Sequence, residues 1–275
     1  KGDEAKNIAF GNTLSHDAFP DLKFDYLITN PPYGVEWKPA EDAVKDEHEK
    51  LGMSGRFGAG LPRISDGQLL FLQHLVSKMK PVSEENPQGS RLAIIMNGSP
   101  LFTGDAGSGE SEIRRWLLEN DLVEGIVAMP DQLFYNTGIS TYIWILTNNK
   151  NRLRRGKVQL VNGVDFYQKM RKSLGNKRNE ISDEQIDELV RIYGDMKPGE
   201  NCKLFDKEDF GYQKITVERP LRLNFKIDEE RVQELYNQTA FKNLATTGKR
   251  GAVGLKESEE GEKLQKQIIE ALLSI

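Results

Sequence analysis

The tetrapeptide Asn30-Pro31-Pro32-Tyr33 brings together residue types that can hold an amino group in a fixed orientation. The side-chain carbonyl of Asn30 and the backbone carbonyl of Pro31 can each accept one N–H of such a group. Two acceptors aimed in this way localise the nitrogen lone pair toward an electrophile, which is a form of electrostatic activation. The prolines hold the turn rigid, so the second carbonyl is oriented at little entropic cost. The alternative is a purely structural Pro-Pro turn that leaves Tyr33 on the surface.

The motif must be positioned by the apolar run at residues 24–29, which predicts a strand that ends where two prolines interrupt its hydrogen-bond ladder. Up to residue 150, short apolar runs alternate with amphipathic stretches, and this pattern predicts an α/β domain. The predicted strands are residues 7–14, 24–29, 92–96, 122–129 and 141–147, and the predicted helices are residues 66–80 and 111–120. Residues 34–66 are polar and glycine-rich, and they are predicted to form a long loop.

The last two predicted strands are separated by only about ten residues, which is too few for a helical crossover. They are therefore expected to pair as an antiparallel hairpin beside the parallel strands. Open α/β sheets place their ligands at the carboxyl ends of the strands. The hairpin loop contains Phe134 and Tyr135 and can reach over that same edge. Aromatic residues between two strands can equally be core or lid residues.

Beyond Lys150 the composition changes, so we expect a domain at residues 1–150 and a mixed, helical extension at residues 151–275. Residues 150–178 contain ten Lys and Arg residues and one acidic residue, Asp165. Such a run forms either a solvated face or a patch that contacts phosphates. The extension is expected to contain a helix at 181–193, short strands at 212–217 and 221–225, a linker at 243–262 and a last helix at 262–275.

Composition excludes several classes of protein. The chain has 275 residues, of which 37% are hydrophobic, and a formal net charge of −4, so charge alone does not indicate a nucleic-acid binder. Its longest apolar run, residues 92–96, is far shorter than the roughly 20 residues of a membrane span. The single cysteine, Cys202, excludes an internal disulfide and a cysteine-cluster zinc site, and the three histidines lack metal-ligand spacing. A cytoplasmic protein with no metal and no membrane contact is expected.

Several segments resemble the modification, or DNA methylation, subunit of type I restriction–modification systems. The resemblance rests on NIAFGNTL, FDYLITNPPYG, DGQLLFLQHLVSKMKP, GSRLAIIMNGSPLF, GESEIRRWLLENDLVEGIVAMPDQLFYNTGISTYIWIL and RGKVQLV. It continues more weakly through ISDEQIDELVRIYGDM to GYQKITVERPLRLNF. It implies methylation of adenine N6 in DNA with S-adenosylmethionine as cofactor. It also implies assembly with a specificity subunit, a restriction subunit and a second modification subunit.

Residue by residue, Asn30-Pro31-Pro32-Tyr33 matches the catalytic motif of amino-methyltransferases that act on adenine N6 or cytosine N4. The resemblance implies that Tyr33 stacks on a flipped base, because a base inside a duplex is out of reach. Phe134 matches the aromatic residue that packs against the target base in related adenine methyltransferases, and Tyr135 adjoins it. These three aromatic residues are therefore the candidates for contact with the substrate base.

The resemblance also implies cofactor contacts by Asn30 and by Asn12. Asn12 lies in a Gly-Asn-Thr-Leu turn where the family often has an aspartate that contacts the cofactor adenine, although asparagine also favours turns for local reasons. The glycine-rich loop and the ribose-binding acidic residue of such enzymes are not found before Asn30. Because the chain also begins at Lys1 without a methionine, it is expected to be the carboxyl-side portion of a modification subunit and inactive by itself.

The expected fold class is thus α/β, a Rossmann-like methyltransferase sheet that lacks its first two strands and ends in an antiparallel hairpin. In the family's sheet the two missing strands would lie between those at residues 7–14 and 24–29, so the strand at 24–29 becomes an exposed apolar edge. Two other functions stay open on the sequence. One is an N-methyltransferase acting on RNA or on protein glutamine, and the other is a non-catalytic scaffold that binds a specificity subunit or DNA.

Overall fold

The computed structural model of the protein describes residues 3–135, 137–219 and 227–274. The chain divides into two compact units, Lys1–Lys214 and Ile215–Ile275. The first unit contains eight strands in its described part: β1 (Tyr26–Thr29), β2 (Arg91–Asn97), β3 (Val123–Ala128), β4 (Thr141–Thr147), β5 (Lys157–Asn162), β6 (Gln168–Leu174), β7 (Lys177–Glu180) and β8 (Cys202–Asp206). Its helices are α1 (Glu41–Leu51), α2 (Gln68–Ser77), α3 (Ser99–Phe102), α4 (Gly109–Glu119) and α5 (Asp183–Asp195).

Six of these strands form one mixed sheet in the order β1-β2-β4-β3-β5-β8, and β6 pairs with β7 in a separate two-stranded sheet. The pairs β1–β2 and β3–β5 are parallel, whereas β4 is antiparallel to both β2 and β3, and β8 is antiparallel to β5. The predicted hairpin of β3 and β4 is therefore confirmed. β5 and β8 extend this sheet beyond the change of composition at Lys150.

Helices cover both faces of the sheet because successive strand side chains alternate between its faces. Trp144 and Leu146 of β4 belong to the buried cluster that packs against α2 and α4, together with Leu72 and Ile113 from those helices. The alternate residues Ile143 and Ile145 pack instead in a cluster that contains Leu189 of α5. The architecture is an α/β sandwich, and the predicted fold class is confirmed.

Residues 7–14 do not form the predicted strand. A 3₁₀ helix spans Asp3–Asn7, and the chain then turns, with the Asn12 carbonyl accepting from the amide of His16 at 2.9 Å. Arg56 donates to the carbonyls of Thr13 at 2.6 Å and Leu14 at 3.1 Å. Local turn chemistry and this arginine therefore occupy backbone groups that a strand would offer to a neighbour.

The predicted loop at residues 34–66 contains helix α1. Among its eleven residues only Val44 is buried, and it packs with Trp37 and Phe57. Its surface is stabilised by i,i+4 ion pairs, such as Lys45 with Glu41 at 2.6 Å. A single buried apolar residue leaves too little periodicity for the sequence pattern to indicate a helix.

The second unit contains α6 (Glu229–Glu234), α7 (Thr239–Asn243) and α8 (Ala252–Leu273), which pack around Val232, Phe241 and Ile269. The linker predicted at 243–262 is wrong for its second half, because α8 begins at Ala252. Glycines of α8 allow close packing: a Cβ on Gly261 would lie 2.0 Å from the Leu244 carbonyl oxygen.

The two strands predicted near the end of the chain are not seen. Residues 212–217 form no strand, and the strand predicted at 221–225 lies outside the described residues. None of the described helices is long and apolar enough to cross a bilayer.

Candidate active site

Four strands of the main sheet, β1, β2, β3 and β5, point in one direction, so their carboxyl ends share an edge. Asn30 follows β1, Asn97 ends β2, and the loop at residues 129–140 follows β3. This edge is where open α/β sheets bind their ligands. The topology therefore gathers segments that are a hundred residues apart in the sequence into one candidate site.

The Asn30-Pro31-Pro32-Tyr33 turn is held together by a side-chain hydrogen bond within the motif. The Tyr33 hydroxyl donates to Asn30 Oδ1, while Pro31 is buried and Asn30 and Pro32 are exposed. Burial raises the pKa of Tyr33 above its usual value, although its bond to Asn30 opposes the shift. The phenol is thus a neutral donor at physiological pH. Because an amide oxygen accepts two hydrogen bonds, Asn30 Oδ1 retains capacity for a second donor.

A buried polar network supports the chain that follows the motif. Gln68 Nε2 donates to Asp66 Oδ1 and to Asn97 Oδ1, both at 2.9 Å, and Gln68 Oε1 accepts from the Asn97 amide at 2.9 Å. The intervening Gly67 amide donates to the Val35 carbonyl at 3.1 Å. The start of α2 and the end of β2 are therefore locked to each other and to the segment after Tyr33.

Sequence reasoning missed this network. The apolar pattern predicts a helix that begins at Asp66 but no role for its first polar residues, yet Asp66 and Gln68 are 6% and 1% exposed. The available signal was the pair of polar side chains directly before the apolar residues of α2. Buried polar groups of this kind are hydrogen-bonded when they lie in a protein interior, so the pair indicates a second partner across the fold.

The structure brings Phe134 to Tyr33. Their ring centroids are 6.0 Å apart with an interplanar angle of 74°, an edge-to-face contact. Phe134 is half-buried, and the base of its loop is closed by the Met129 amide donating to the Thr141 carbonyl at 2.9 Å. The two rings contact each other directly, so a base that stacks on Tyr33 must displace or join this contact.

Tyr135 lies differently from Phe134. It is 63% exposed, and its carbonyl accepts from the Asn176 amide at 3.0 Å. Its ring lies beside the turn between β6 and β7, since a Cβ on Gly175 would be 3.3 Å from a ring carbon of Tyr135. The positive φ of 59° at Gly175 also favours glycine there. A role for Tyr135 at the substrate base stays a prediction.

Asn12 is engaged in local structure. Its Oδ1 accepts from the Leu14 amide at 3.0 Å in an Asx turn, and its side chain is exposed. Arg56 fixes this turn from the other side through the carbonyls of Thr13 and Leu14. This is the local alternative that the sequence left open, and a cofactor contact by Asn12 stays a prediction.

The large cavity of the main sheet does not include the motif. A cavity of about 1360 Å³ lies between α3, α4, strands β3 to β5 and residues 200–212, and its lining includes neither the tetrapeptide nor Asn12 nor Phe134. Asn12 and Asn30 already bond within their own turns through their side-chain oxygens. These residues can therefore accept hydrogen bonds from an amino group, but by themselves they do not form a complete binding site for S-adenosylmethionine. The described part of the chain also contains no cluster of three His, Cys, Asp or Glu residues that could hold a metal ion.

Comparisons with known proteins find a family and several relatives that this chain is similar to. The N-6 DNA Methylase family matches residues 1–220 of the chain. The MjaIX type I restriction enzyme methylase subunit of Methanocaldococcus jannaschii is 28% identical over 212 residues, which cover 77% of this chain and 35% of that protein. The HindI type I restriction enzyme methylase subunit of Haemophilus influenzae is 32% identical over 142 residues, which cover 51% of this chain and 28% of that protein. The chain thus spans about a third of the length of these curated relatives.

A solved structure has the same fold. The methyltransferase subunit of a type I restriction–modification system from Streptococcus thermophilus aligns with a TM-score of 0.56 and 24% identity, over 72% of this chain and 38% of that one. The structural likeness supports the fold, and the family match covers most of the sequence, including every residue of the candidate site. This chain belongs to the N-6 DNA methylase family, and the relatives described above are methylase subunits of type I restriction enzymes.

Proposed function

We propose that this chain supplies the catalytic edge of a type I modification subunit that methylates adenine N6 in DNA. The observation that carries the proposal is the meeting of the Asn30-Pro31-Pro32-Tyr33 turn with Phe134 at the carboxyl edge of the sheet. S-adenosylmethionine, when bound to the whole methyltransferase, supplies the methyl group. The partners proposed are DNA, a specificity subunit, a restriction subunit and a second modification subunit, all in the cytoplasm.

The residues of this chain act on the amino group of the base. Asn30 Oδ1 and the Pro31 carbonyl accept its two N–H bonds, which concentrates the nitrogen lone pair away from the ring. Tyr33 holds Asn30 in position, because its hydroxyl already donates to the same oxygen. That hydrogen bond fixes the amide so that its remaining lone pair points in one direction. No side chain needs to remove a proton before the methyl group is transferred. As the N–CH₃ bond forms, the cofactor's S–CH₃ bond would break with its electron pair staying on sulfur, and the nitrogen would then release one proton to solvent.

The aromatic residues act on the ring of the base. A target base must leave the duplex to reach the turn, and stacking on an aromatic face compensates for part of the lost base stacking. Tyr33 and Phe134 offer two such faces at the same edge of the sheet. In this proposal Phe134 moves from its edge-to-face contact and packs against the extruded adenine.

The test is methyl transfer by the chain extended to the length of its relatives and assembled with a specificity subunit. With labelled S-adenosylmethionine, the wild-type assembly should label adenine in DNA. Asn30→Ala should lower the rate by about 10²–10³-fold, since it removes one acceptor aimed at the developing charge. DNA affinity should stay within about tenfold, because the side chain is small and exposed.

Asn243→Ala serves as the control, because this exposed asparagine lies in the second compact unit. It should leave the rate unchanged. The isolated 275-residue chain is expected to give no labelled DNA, because it spans only about a third of the length of the methylase subunits that it matches. Label that appears in RNA or protein instead of DNA would contradict the proposed substrate, and an undiminished rate for Asn30→Ala would contradict the proposed catalytic residue.

A further inference from the structure

The basic run at residues 150–178 falls on two opposite edges of the main sheet. Its first part lies between the end of β4 and the start of β5, at the edge away from Asn30. Here most of the cations have structural partners: Lys150 pairs with Asp121 at 2.6 Å, and Lys157 with Asp206 at 2.7 Å. Arg154 is buried and donates to Gln159 Oε1 at 2.7 Å and to the Tyr193 carbonyl at 2.6 Å. Three of the five cations in this part therefore hold the fold together, while Arg152 and Arg155 are exposed.

The second part forms the β6–β7 hairpin, which follows the carboxyl end of β5 and so lies at the edge of the candidate active site. Residues 168–178 contain five cations and no acidic residue. Lys169 is held by Asn179 Oδ1 at 2.8 Å. The other four cations are exposed or half-buried and make no side-chain hydrogen bond or ion pair within the described part of the chain: Arg171, Lys172, Lys177 and Arg178.

The hairpin is docked on the loop that contains Phe134. The amides of Arg178 and Asn179 donate to the Gln132 carbonyl at 3.0 and 3.2 Å. The buried Asn179 side chain donates to the Asp131 carbonyl at 2.9 Å and to Asp131 Oδ1 at 3.1 Å. At the other end, the Asn176 amide donates to the Tyr135 carbonyl. The basic hairpin and the Phe134 loop are thus joined at two ends and form one connected element.

We propose that the β6–β7 hairpin binds the phosphate backbone of duplex DNA beside the extruded base. Arg171, Lys172, Lys177 and Arg178 are the contacting residues, and they neutralise phosphates without reading sequence. Four like charges without acidic partners, in a chain of net charge −4, repel one another unless an anion covers them. The proposal rests on the proposed function, because the same edge holds the Asn30 turn. It adds a DNA-contacting element that the Asn30 chemistry does not require.

The experiment measures the salt dependence of DNA binding by the 275-residue chain, with a fluorescent duplex of about 30 base pairs and salt raised from about 20 mM. The test variant is Arg171→Gln/Lys172→Gln/Lys177→Gln/Arg178→Gln. Each phosphate contact contributes about 0.9 to the slope of log Kobs against log salt concentration. The test variant should therefore lose about 3 to 4 from the magnitude of the slope and bind much more weakly at low salt. Because these four side chains make no hydrogen bond or ion pair with any described residue, circular dichroism should show an unchanged fold.

Two controls isolate the hairpin. Arg171→Lys/Lys172→Arg/Lys177→Arg/Arg178→Lys preserves the charge and should keep the wild-type slope. Lys242→Gln/Arg250→Gln/Lys263→Gln/Lys266→Gln removes the same charge from exposed cations of the second unit and should change the slope by less than about 1. Equal losses in both glutamine variants, an unchanged slope in the hairpin variant, or no DNA binding by the wild-type chain would overturn the inference. None of these results decides the outcome of the labelled-methyl test, so the proposed function and this inference can be refuted independently.

Discussion

At the residue scale, the Asn30-Pro31-Pro32-Tyr33 turn combines polar and aromatic groups. In the proposed function, Asn30 and Pro31 are acceptors and Tyr33 is a stacking ring. The structure adds a hydrogen bond from the Tyr33 hydroxyl to Asn30 Oδ1, so Tyr33 has a polar and an aromatic role. These two roles can be separated by substitution, because phenylalanine keeps the ring and loses the donor.

We expect Tyr33→Ala and Phe134→Ala to weaken binding to a duplex with 2-aminopurine at the target position. Stacking contributes about 1–3 kcal/mol per base, so each loss should be roughly ten- to hundredfold in the assembled methyltransferase. The fluorescence increase of 2-aminopurine on extrusion reports the binding. Tyr33→Phe is the matched control and should bind like wild type while methyl transfer slows. Equal fluorescence titrations for the wild type and both alanine variants would return the two rings to a structural role.

His74 shows how strongly tertiary contacts change one residue. Its Nδ1 lies 3.2 Å from Arg56 Nη1, and its Nε2 lies 3.4 Å from Thr13 Oγ1. Because arginine only donates, Nδ1 accepts and the neutral ring carries its proton on Nε2. Burial first, and the charge of Arg56 second, lower the pKa of His74 from 6.5 to about 4. The nearby Asp17 and Glu47 oppose this shift and Lys78 adds to it.

The shift predicts a loss of stability in mild acid. Between pH 6.5 and about 4 the unfolded chain binds a proton at His74 and the folded chain does not, so the free energy of unfolding falls as pH falls through this window. The contribution is on the order of 2 kcal/mol, reduced from the full shift because the ring is only partly buried. Urea titrations at pH 7 and pH 4.5 should show a smaller difference for His74→Gln than for wild type. Parallel pH profiles for the two proteins would refute the assignment.

At the element scale, the loop at residues 129–140 depends on a hairpin that follows it in the sequence. Asn179 is fully buried and is separated from its partner Asp131 by 48 residues. The turn of the same hairpin needs glycine, because a Cβ on Gly175 would lie 2.9 Å from the Tyr135 carbonyl oxygen. The position of Phe134 is thus set by β6 and β7 as well as by the strands that flank its loop.

Asn179→Ala should loosen this docking without unfolding the sheet. It leaves the Asp131 carbonyl without its buried donor, at a cost of about 1–3 kcal/mol. Hydrogen exchange of the Arg178 and Asn179 amides, which donate to Gln132, should become roughly ten- to hundredfold faster. Asn151→Ala is the control, because Asn151 Oδ1 caps amides at the opposite edge of the sheet. Unchanged exchange at residues 178–179 in Asn179→Ala would show that the side chain does not hold the hairpin.

At the scale of the whole molecule, β1 is an unpaired edge. Within the described residues it pairs only with β2, and Tyr26 and Ile28 are 76% and 86% exposed. The sequence predicted this exposed apolar edge from the strands that the family's sheet would place beyond it. Edge strands of this kind pair readily with another chain. The candidate site lies at the end of this same strand, so any strand that pairs with this edge also lies beside the site.

We expect the isolated chain to self-associate through this edge at concentrations of roughly 10–100 μM, where an apolar strand edge pairs with a second copy. Ile28→Lys should shift sedimentation velocity profiles toward the monomer, with little change in folding because the side chain is exposed. Val190→Lys, a similar change at a 64% exposed position on α5, is the control. A wild-type chain that stays monomeric at the highest of these concentrations would contradict the prediction.

The sequence by itself determined the elements whose signals lie within a few neighbouring residues. The strand before Asn30, the helices α2 and α4, and the β3–β4 hairpin follow from apolar periodicity, prolines and loop length. The loop that contains Phe134 could be predicted at the edge of the candidate site, because the carboxyl ends of parallel strands lie at the same edge of a sheet. These features need no partner from elsewhere in the chain to be recognised.

Only the tertiary structure decided which polar and charged residues meet. Asn12 belongs to a turn held by Arg56, Gln68 bonds to Asn97 at the end of another strand, and the basic run divides between two edges of the sheet. Each of these contacts joins residues 29 or more positions apart. A hydrogen bond or ion pair at that distance leaves no local periodicity, because its partner is chosen by the packing of the strands and not by the neighbouring sequence.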